Sequence, residues 1–155
     1  MNIKAIIFDW ARTLFDRDNN KEFTEAEEVL KYCQGKAYRM AVVSLVTAKN
    51  DPGTTMEDRE KEMEQSPLRK YFEMALVTDG DKDKLFDQVV AHFNVPRDRI
   101  LIVDDRTVRG IKYGNKHGHP TVWLQKGKFA DELPSEEMGQ PTHIVSELIE
   151  LLKII

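Results

Sequence analysis

A single cysteine, Cys33, is all the thiol this chain of 155 residues has. That excludes an internal disulfide and any zinc site built on cysteines. Basic residues are outnumbered, 23 against 27 acids for a net charge of −4, and they form no dense cluster, so nucleic acid is not an expected partner. No apolar run approaches the roughly 20 residues of a membrane span. Met1-Asn2-Ile3-Lys4 leads straight into an apolar stretch, so no signal peptide is expected. A cytoplasmic protein with no membrane partner is expected. The four histidines, His92, His117, His119 and His143, lack metal-ligand spacing and read as structural or surface residues. Repeats and low-complexity segments are absent. What is present is 41% hydrophobic and 32% charged, which suits one soluble domain over residues 1–155 with a proper core.

The apolar runs are short and regularly spaced. Ala5-Ile6-Ile7-Phe8, Met40 to Ser44, Met74 to Val77, Ile100 to Val103 and Thr121 to Leu124 read as buried strands, with a further short one near His143-Ile144. Between them lie helical patterns. Thr24 and Glu27 are spaced as a capping box, opening a helix with Phe23, Ala26, Leu30 and Cys33 on one face and Gly35 as its stop. Cys33 is therefore core. Thr55 to Gln65 is a charged helix carrying Met56 and Met63, hydrophilic enough to be mobile, and Ser66-Pro67-Leu68 starts a short helical piece. A helix from Lys82 carries Leu85, Phe86, Val89, Val90 and Phe93, another runs from about Val108 to His117, and a last one holds Leu148, Ile149, Leu151 and Leu152. Residues 15–22 and 126–141 read as polar loops. Strand alternating with helix predicts an α/β protein with a parallel sheet of five or six strands and right-handed crossovers.

Such a sheet binds ligands at the carboxyl ends of its strands. Asp9, Ser44, Lys82 and the pair Asp104-Asp105 all stand just after strands or at the starts of the next helices, so they should converge. Each alone would be an ordinary turn or cap residue. Together they match phosphoryl transfer: a nucleophilic carboxylate, a hydroxyl donor, a point positive charge, and hard oxygen ligands that suit Mg2+. A divalent cation would also relieve the repulsion among three carboxylates.

These residues resemble the motifs of the haloacid dehalogenase-like (HAD) hydrolases, most of which are phosphatases, and the resemblance runs over essentially the whole chain. Phe8-Asp9-Trp10-Ala11-Arg12-Thr13-Leu14 is similar to the first motif, Val42-Val43-Ser44 to the second, Lys82 (with Lys84 as another register) to the third, and Ile100 through Asp104-Asp105 to the fourth in its Asp-Asp form. The resemblance implies a three-layer Rossmann-like fold and an aspartyl phosphate formed on Asp9. It also implies phosphoryl binding by Ser44 and Lys82, with Ala11, Arg12 and Thr13 lining the substrate site. A magnesium ion would be held by Asp9, the backbone carbonyl of Ala11, and Asp104 or Asp105.

Three departures from the family pattern stand out. Ala11 replaces the second Asp that protonates the leaving oxygen and later activates water; a methyl group does neither. Arg12 replaces glycine, which implies an altered loop or a residue reaching for an anion. The fourth motif lacks a further acid, with Arg109 and Gly110 in its place. Arg106 and Arg109 read as solvating a helix end, with phosphate attraction as the alternative, and Trp10 as packing or as a face for a substrate ring. Asp-Trp-Ala-x-Thr is also similar to the first motif of phosphonoacetaldehyde hydrolases, but that chemistry needs a cap-domain lysine for which the chain has no room. A two-component receiver domain would place its acidic pair after the first strand, not the fourth. The expectation is a magnesium-dependent phosphatase-like hydrolase without a substantial cap domain, acting on a phosphorylated small molecule or a phosphoprotein. The alternative is a degenerate relative that binds a metal or phosphoryl ligand without efficient turnover. The site should be open to solvent unless residues 50–65 or a second subunit of an oligomer covers it.

Overall fold

The computed structural model describes residues 1–155. The chain runs β1 (Ala5–Asp9), β2 (Phe15–Asp16), β3 (Lys21–Glu22), α1 (Ala26–Gly35), β4 (Arg39–Leu45), α2 (Met56–Gln65), β5 (Met74–Thr78), α3 (Lys82–Phe93), β6 (Ile100–Asp104), α4 (Lys112–His117), β7 (Thr121–Leu124) and β8 (His143–Val145). Six strands form one sheet in the order β5-β4-β1-β6-β7-β8, parallel throughout. The chain moves outward from β1 through β4 to β5, then returns to β6 on the other side of β1. This reversal opens a crevice at the carboxyl ends of the central strands.

The central strands are apolar on both faces because both faces are covered. Ile6, Phe8, Met40, Val42, Leu101 and Val103 pack on one side against Val29, Leu30 and Cys33 of α1, Met63 of α2, and Leu148 and Leu151. Ala5, Ile7, Ala41, Val43, Ile100 and Ile102 pack on the other against α3 and Tyr113. The result is the expected three-layer, Rossmann-like α/β architecture. Burial pushes the Cys33 thiol up to about 12, as its place in the core requires. Only a hairpin and α1 separate β1 from β4, and only α2 and a turn of 3-10 helix separate β4 from β5, so no cap domain is inserted at either point. No helix is long and apolar enough to cross a membrane.

Several local expectations are corrected. The Thr24–Glu27 capping box does not form: Glu25 is the N-cap of α1, with no side-chain cap, so the helix starts one residue late for the pattern, and the Glu27 carboxylate accepts from the Tyr71 hydroxyl at 3.0 Å instead. The capping box belongs instead to α2, between Thr55 and Asp58. Residues 15–22 are not all loop but carry the β2–β3 hairpin. The helix expected from Val108 begins as a π-helical turn over Thr107–Ile111, and the final helix is 3-10 over Leu148–Lys153.

Candidate active site

The register of the sheet assembles the site. Asp9 ends β1 opposite Val43, one residue before Ser44. Phe8 lies opposite Val103, so Asp104 emerges beside Asp9. Lys82 is the first residue of α3, whose N-cap is Asp81, and its side chain runs back under the strand ends. Its Nζ donates to Asp9 Oδ1 at 2.7 Å and to Asp104 Oδ2 at 3.1 Å. Lys84, two residues on, is exposed. Thr13, fully buried, donates from Oγ1 to Asp9 Oδ2 at 3.1 Å, so it orients Asp9.

The two adjacent aspartates differ. Asp104 is saturated: besides Lys82 it accepts from the Arg106 amide at 3.0 Å and the Gly110 amide at 2.9 Å. Asp105 is 1% exposed, yet its Oδ2 is buried without any partner. Each of Asp9, Asp104 and Asp105 offers an oxygen within 4.8 Å of the others. Burial, then repulsion from Asp9 and Asp104, drives the Asp105 carboxyl well above the usual range. Asp104 is raised for the same reasons, burial first, despite Lys82. Burial alone would lower the Lys82 ammonium, but Asp104 and Asp9 together outweigh it and hold it above its ordinary value. One ammonium does not balance three buried carboxylates. The orphaned Asp105 oxygen and the all-oxygen donor set fit a divalent cation such as Mg2+. Ala11, the remaining expected ligand, lines the same cavity as Asp9 and Asp105.

Gly110 has a steric explanation in place of the expected acid. A Cβ there would lie 2.7 Å from Asp104 Cβ and closer still to its carboxylate. The Gly110 amide that holds Asp104 sits in the π turn that opens this helix. Gly110→Ala is expected to destabilise the fold by about 1–3 kcal/mol, read as a lower urea midpoint at unchanged slope. An unchanged midpoint would refute the close packing of Asp104 on Gly110.

Ser44 does not join the Asp9–Lys82–Asp104 contacts. Its Oγ accepts from Arg59 Nη1 at 2.6 Å. Arg59, on α2, is fully buried; its Nη2 donates to Asp51 Oδ1 at 2.6 Å. Its Nε lies 3.3 Å from Glu62 Oε2, an ion-pair approach without a hydrogen bond. Glu62 also accepts from Trp10 Nε1 at 2.8 Å and from both Nη atoms of Arg17. Residues 50–65 are therefore fastened to the strand ends rather than loosely solvated. Trp10, 1% exposed and stacked on Phe15, packs and offers no face to a substrate. Arg59 was discoverable from sequence: with Met56 and Met63 it forms an i, i+3, i+7 stripe, so the apolar face of α2 carries one guanidinium.

Arg12 has φ +65°, the left-handed conformation that glycine favours. The loop keeps the glycine-type backbone while carrying a long cation, at a cost of about 1–2 kcal/mol. Arg106 does not solvate a helix end: its side chain is 12% exposed, paired with Glu132 at 2.9 Å and laid over Phe129 at 3.7 Å from the ring centre. The mouth is narrow, and the cover expected from residues 50–65 is supplied in part by Asn50. Phe129 and Asn50 line it together with Arg12, Arg106 and Arg109, leaving a cavity of about 10 Å³, and Lys128 Nζ donates to Asn50 Oδ1 at 3.2 Å across it. Cover thus comes from the loop after β7 meeting the segment after β4. No histidine joins the acidic cluster; His119, for example, is buried on the Arg97 carbonyl.

Comparisons with known proteins agree with this architecture. A family model described as HAD-hydrolase-like matches residues 82–151. A glyceraldehyde 3-phosphate phosphatase from Pyrococcus furiosus is 32% identical over 94 residues, covering 57% of this chain and 38% of that protein. The chain therefore matches about two fifths of the length of that relative. Among solved structures, an L-2-haloacid dehalogenase superposes with a TM-score of 0.76 at 14% identity over 99% of both chains. The magnesium-bound HAD-hydrolase YfnB from Bacillus subtilis gives 0.67 at 19% identity, over 86% of this chain and 56% of its own. The fold is that of the HAD proteins.

Proposed function

We propose that the protein is a magnesium-dependent phosphohydrolase of the HAD family with Asp9 as its nucleophile. The observation that carries this reading is the Lys82 ammonium shared by Asp9 and Asp104 beside the unpartnered Asp105 oxygen. Asp9, Asp105 and the Ala11 carbonyl would hold Mg2+, with Asp104 behind them tying Lys82 and the Gly110 turn in place. The ion would neutralise the carboxylates and polarise phosphoryl oxygens. Thr13 orients Asp9 through Oδ2. Lys82 sets its charge against the incoming phosphoryl group. Ser44, with one lone pair occupied by Arg59, keeps its own proton free to donate to a phosphoryl oxygen.

Asp9 attacks phosphorus and the leaving oxygen departs; water then cleaves the aspartyl phosphate and returns the Asp9 carboxylate. Ala11 supplies no acid in the first half and no base in the second, which favours acyl or aryl phosphates over alkyl ones. A small phosphorylated molecule, rather than a phosphoprotein, is in keeping with the name of the phosphatase relative. Ala11 also favours the second reading, a binding protein without efficient turnover. Phosphate release from acetyl phosphate with magnesium separates the two. The expected result is release well above that of an Asp9→Asn control; equality with the control would leave only the binding reading.

A further inference from the structure

Three guanidinium groups stand around the small cavity beside Asp9 with donors unused. Arg106 spends Nε and Nη2 on Glu132, while Nη1 is buried without a partner. Arg12 and Arg109 line the same cavity, opposite Asp9, Asp51 and Asp105, and neither arginine enters an ion pair; Arg12 only approaches Phe129, at 5.6 Å from the ring centre. Buried donors without acceptors are costly, and Arg12 also holds an unfavourable φ. Arg12 also lines a second, larger cleft of about 520 Å³, where Arg17, Lys21, Lys126 and Lys128 are matched by Asp16, Asp18, Glu22, Glu25 and Glu147, so it offers a leaving group room but no net positive charge. The phosphoryl group already has Lys82 and Ser44 to meet it, so these arginines are surplus to its recognition.

We propose that Arg12, Arg106 and Arg109 form an anion site for the leaving group, so that this protein takes phosphoryl donors whose leaving group departs as a carboxylate or a phosphate. The substrate class is then acyl phosphates and phosphoanhydrides. The proposal rests on the hydrolase reading for its chemistry, though not for the existence of the anion site. As an Asp9 oxygen forms its bond to phosphorus, the bond to the leaving oxygen breaks and its electron pair stays on that oxygen. The anion so formed needs no proton, because the guanidinium groups stabilise its charge. Electrostatic stabilisation of a developing oxyanion thereby replaces the proton donor that Ala11 is not.

Arg12→Gly and Arg109→Gln test this. Arg12→Gly installs the residue its backbone conformation favours, so misfolding is not a confounding outcome. The first arm measures kcat/KM over aryl phosphates of graded leaving-group basicity. The proposal expects a steeper dependence in both variants, with the poorest leaving groups losing most. Parallel lines, the same loss for every substrate, would mean that the arginines only hold the phosphoryl group, and would overturn it. The second arm measures calorimetric binding of inorganic pyrophosphate in an Asp9→Asn background, where no turnover occurs. Each arginine substitution is expected to weaken binding about tenfold, as loss of a charge-assisted hydrogen bond should. Unchanged affinity, or no binding before substitution, overturns the anion site. If no substrate is turned over at all, the hydrolase reading fails and the second arm alone decides.

Discussion

Mixed with acetyl phosphate and magnesium, the protein is expected to accumulate a phosphoryl group on Asp9, and Ala11→Asp to drain it. A good leaving group needs no proton, so the first half-reaction is little affected by a methyl at position 11. The second half-reaction has no such exemption: water must attack phosphorus, and nothing at Ala11 accepts its proton. A positioned general acid–base group contributes roughly 100- to 10,000-fold. The slow step therefore becomes hydrolysis of the aspartyl phosphate, and the intermediate builds up. Acid-quenched protein should gain the mass of one phosphoryl group, removable by hydroxylamine and absent from Asp9→Asn. Ala11→Asp should abolish the build-up and raise steady-state phosphate release by about that factor on alkyl phosphates. A variant that gains nothing would show that the geometry of the loop, rather than the missing acid, limits turnover.

Arg59→Ala is expected to cost about 3–5 kcal/mol of folding stability, more than any other single change away from the acidic cluster. Arg59 and Asp51 are both essentially dry, with side chains 0% and 5% exposed, and removing the cation strands the carboxylate. It also frees the Ser44 hydroxyl and loosens α2 from the ends of β4. The pair should show a pH signature. Burial alone would raise the Asp51 carboxyl, but the Thr47 amide and Arg59 outweigh it and hold it below its usual value. A depressed folded-state pKa stabilises above the unfolded-state value, near 4, and that contribution is lost as pH falls through the folded-state value. Asp51→Asn should remove this part of the acid-induced loss. In a double-mutant cycle, Arg59→Met with Asp51→Leu should be less destabilising than the sum of the two singles. Additive losses would show that the two side chains are not energetically coupled.

Much of this site was legible because its residues sit on the most regular parts of the chain. Asp9, Ser44 and Asp104 end or nearly end apolar strands, and Lys82 opens a helix. In a parallel sheet those ends share one edge, so order along the chain was enough to predict Asp9, Lys82 and Asp104 coming together. Ser44 shows where that logic stopped. It shares the edge, but its hydroxyl is held by Arg59, a residue of a helix whose composition reads as solvent-exposed. Of the cover over the mouth, residues 50–65 were expected and supply Asn50, but the half contributed by the loop after β7 was missed for a similar reason. Residues 126–141 have no periodicity, and the contacts of Phe129 with Arg106 and of Lys128 with Asn50 join segments far apart in sequence. The Thr24–Glu27 pair fitted a capping pattern, but α1 starts one residue later than that pattern needs, and Glu27 accepts from Tyr71 once the chain folds back.

By itself, the sequence determined the alternation of strand and helix and the parallel sheet, because periodicity is a local property; Asp9 as candidate nucleophile and Ala11 in the place of an acid followed from the resemblance to the HAD motifs. Only the tertiary structure decided which of two adjacent aspartates has an unfilled oxygen. It also decided why a side chain at position 110 would press on Asp104, and that three arginines line the cavity next to Asp9. Those are matters of hydrogen-bond saturation and steric exclusion among atoms brought together by the register of the sheet, and spacing along a chain does not encode them directly.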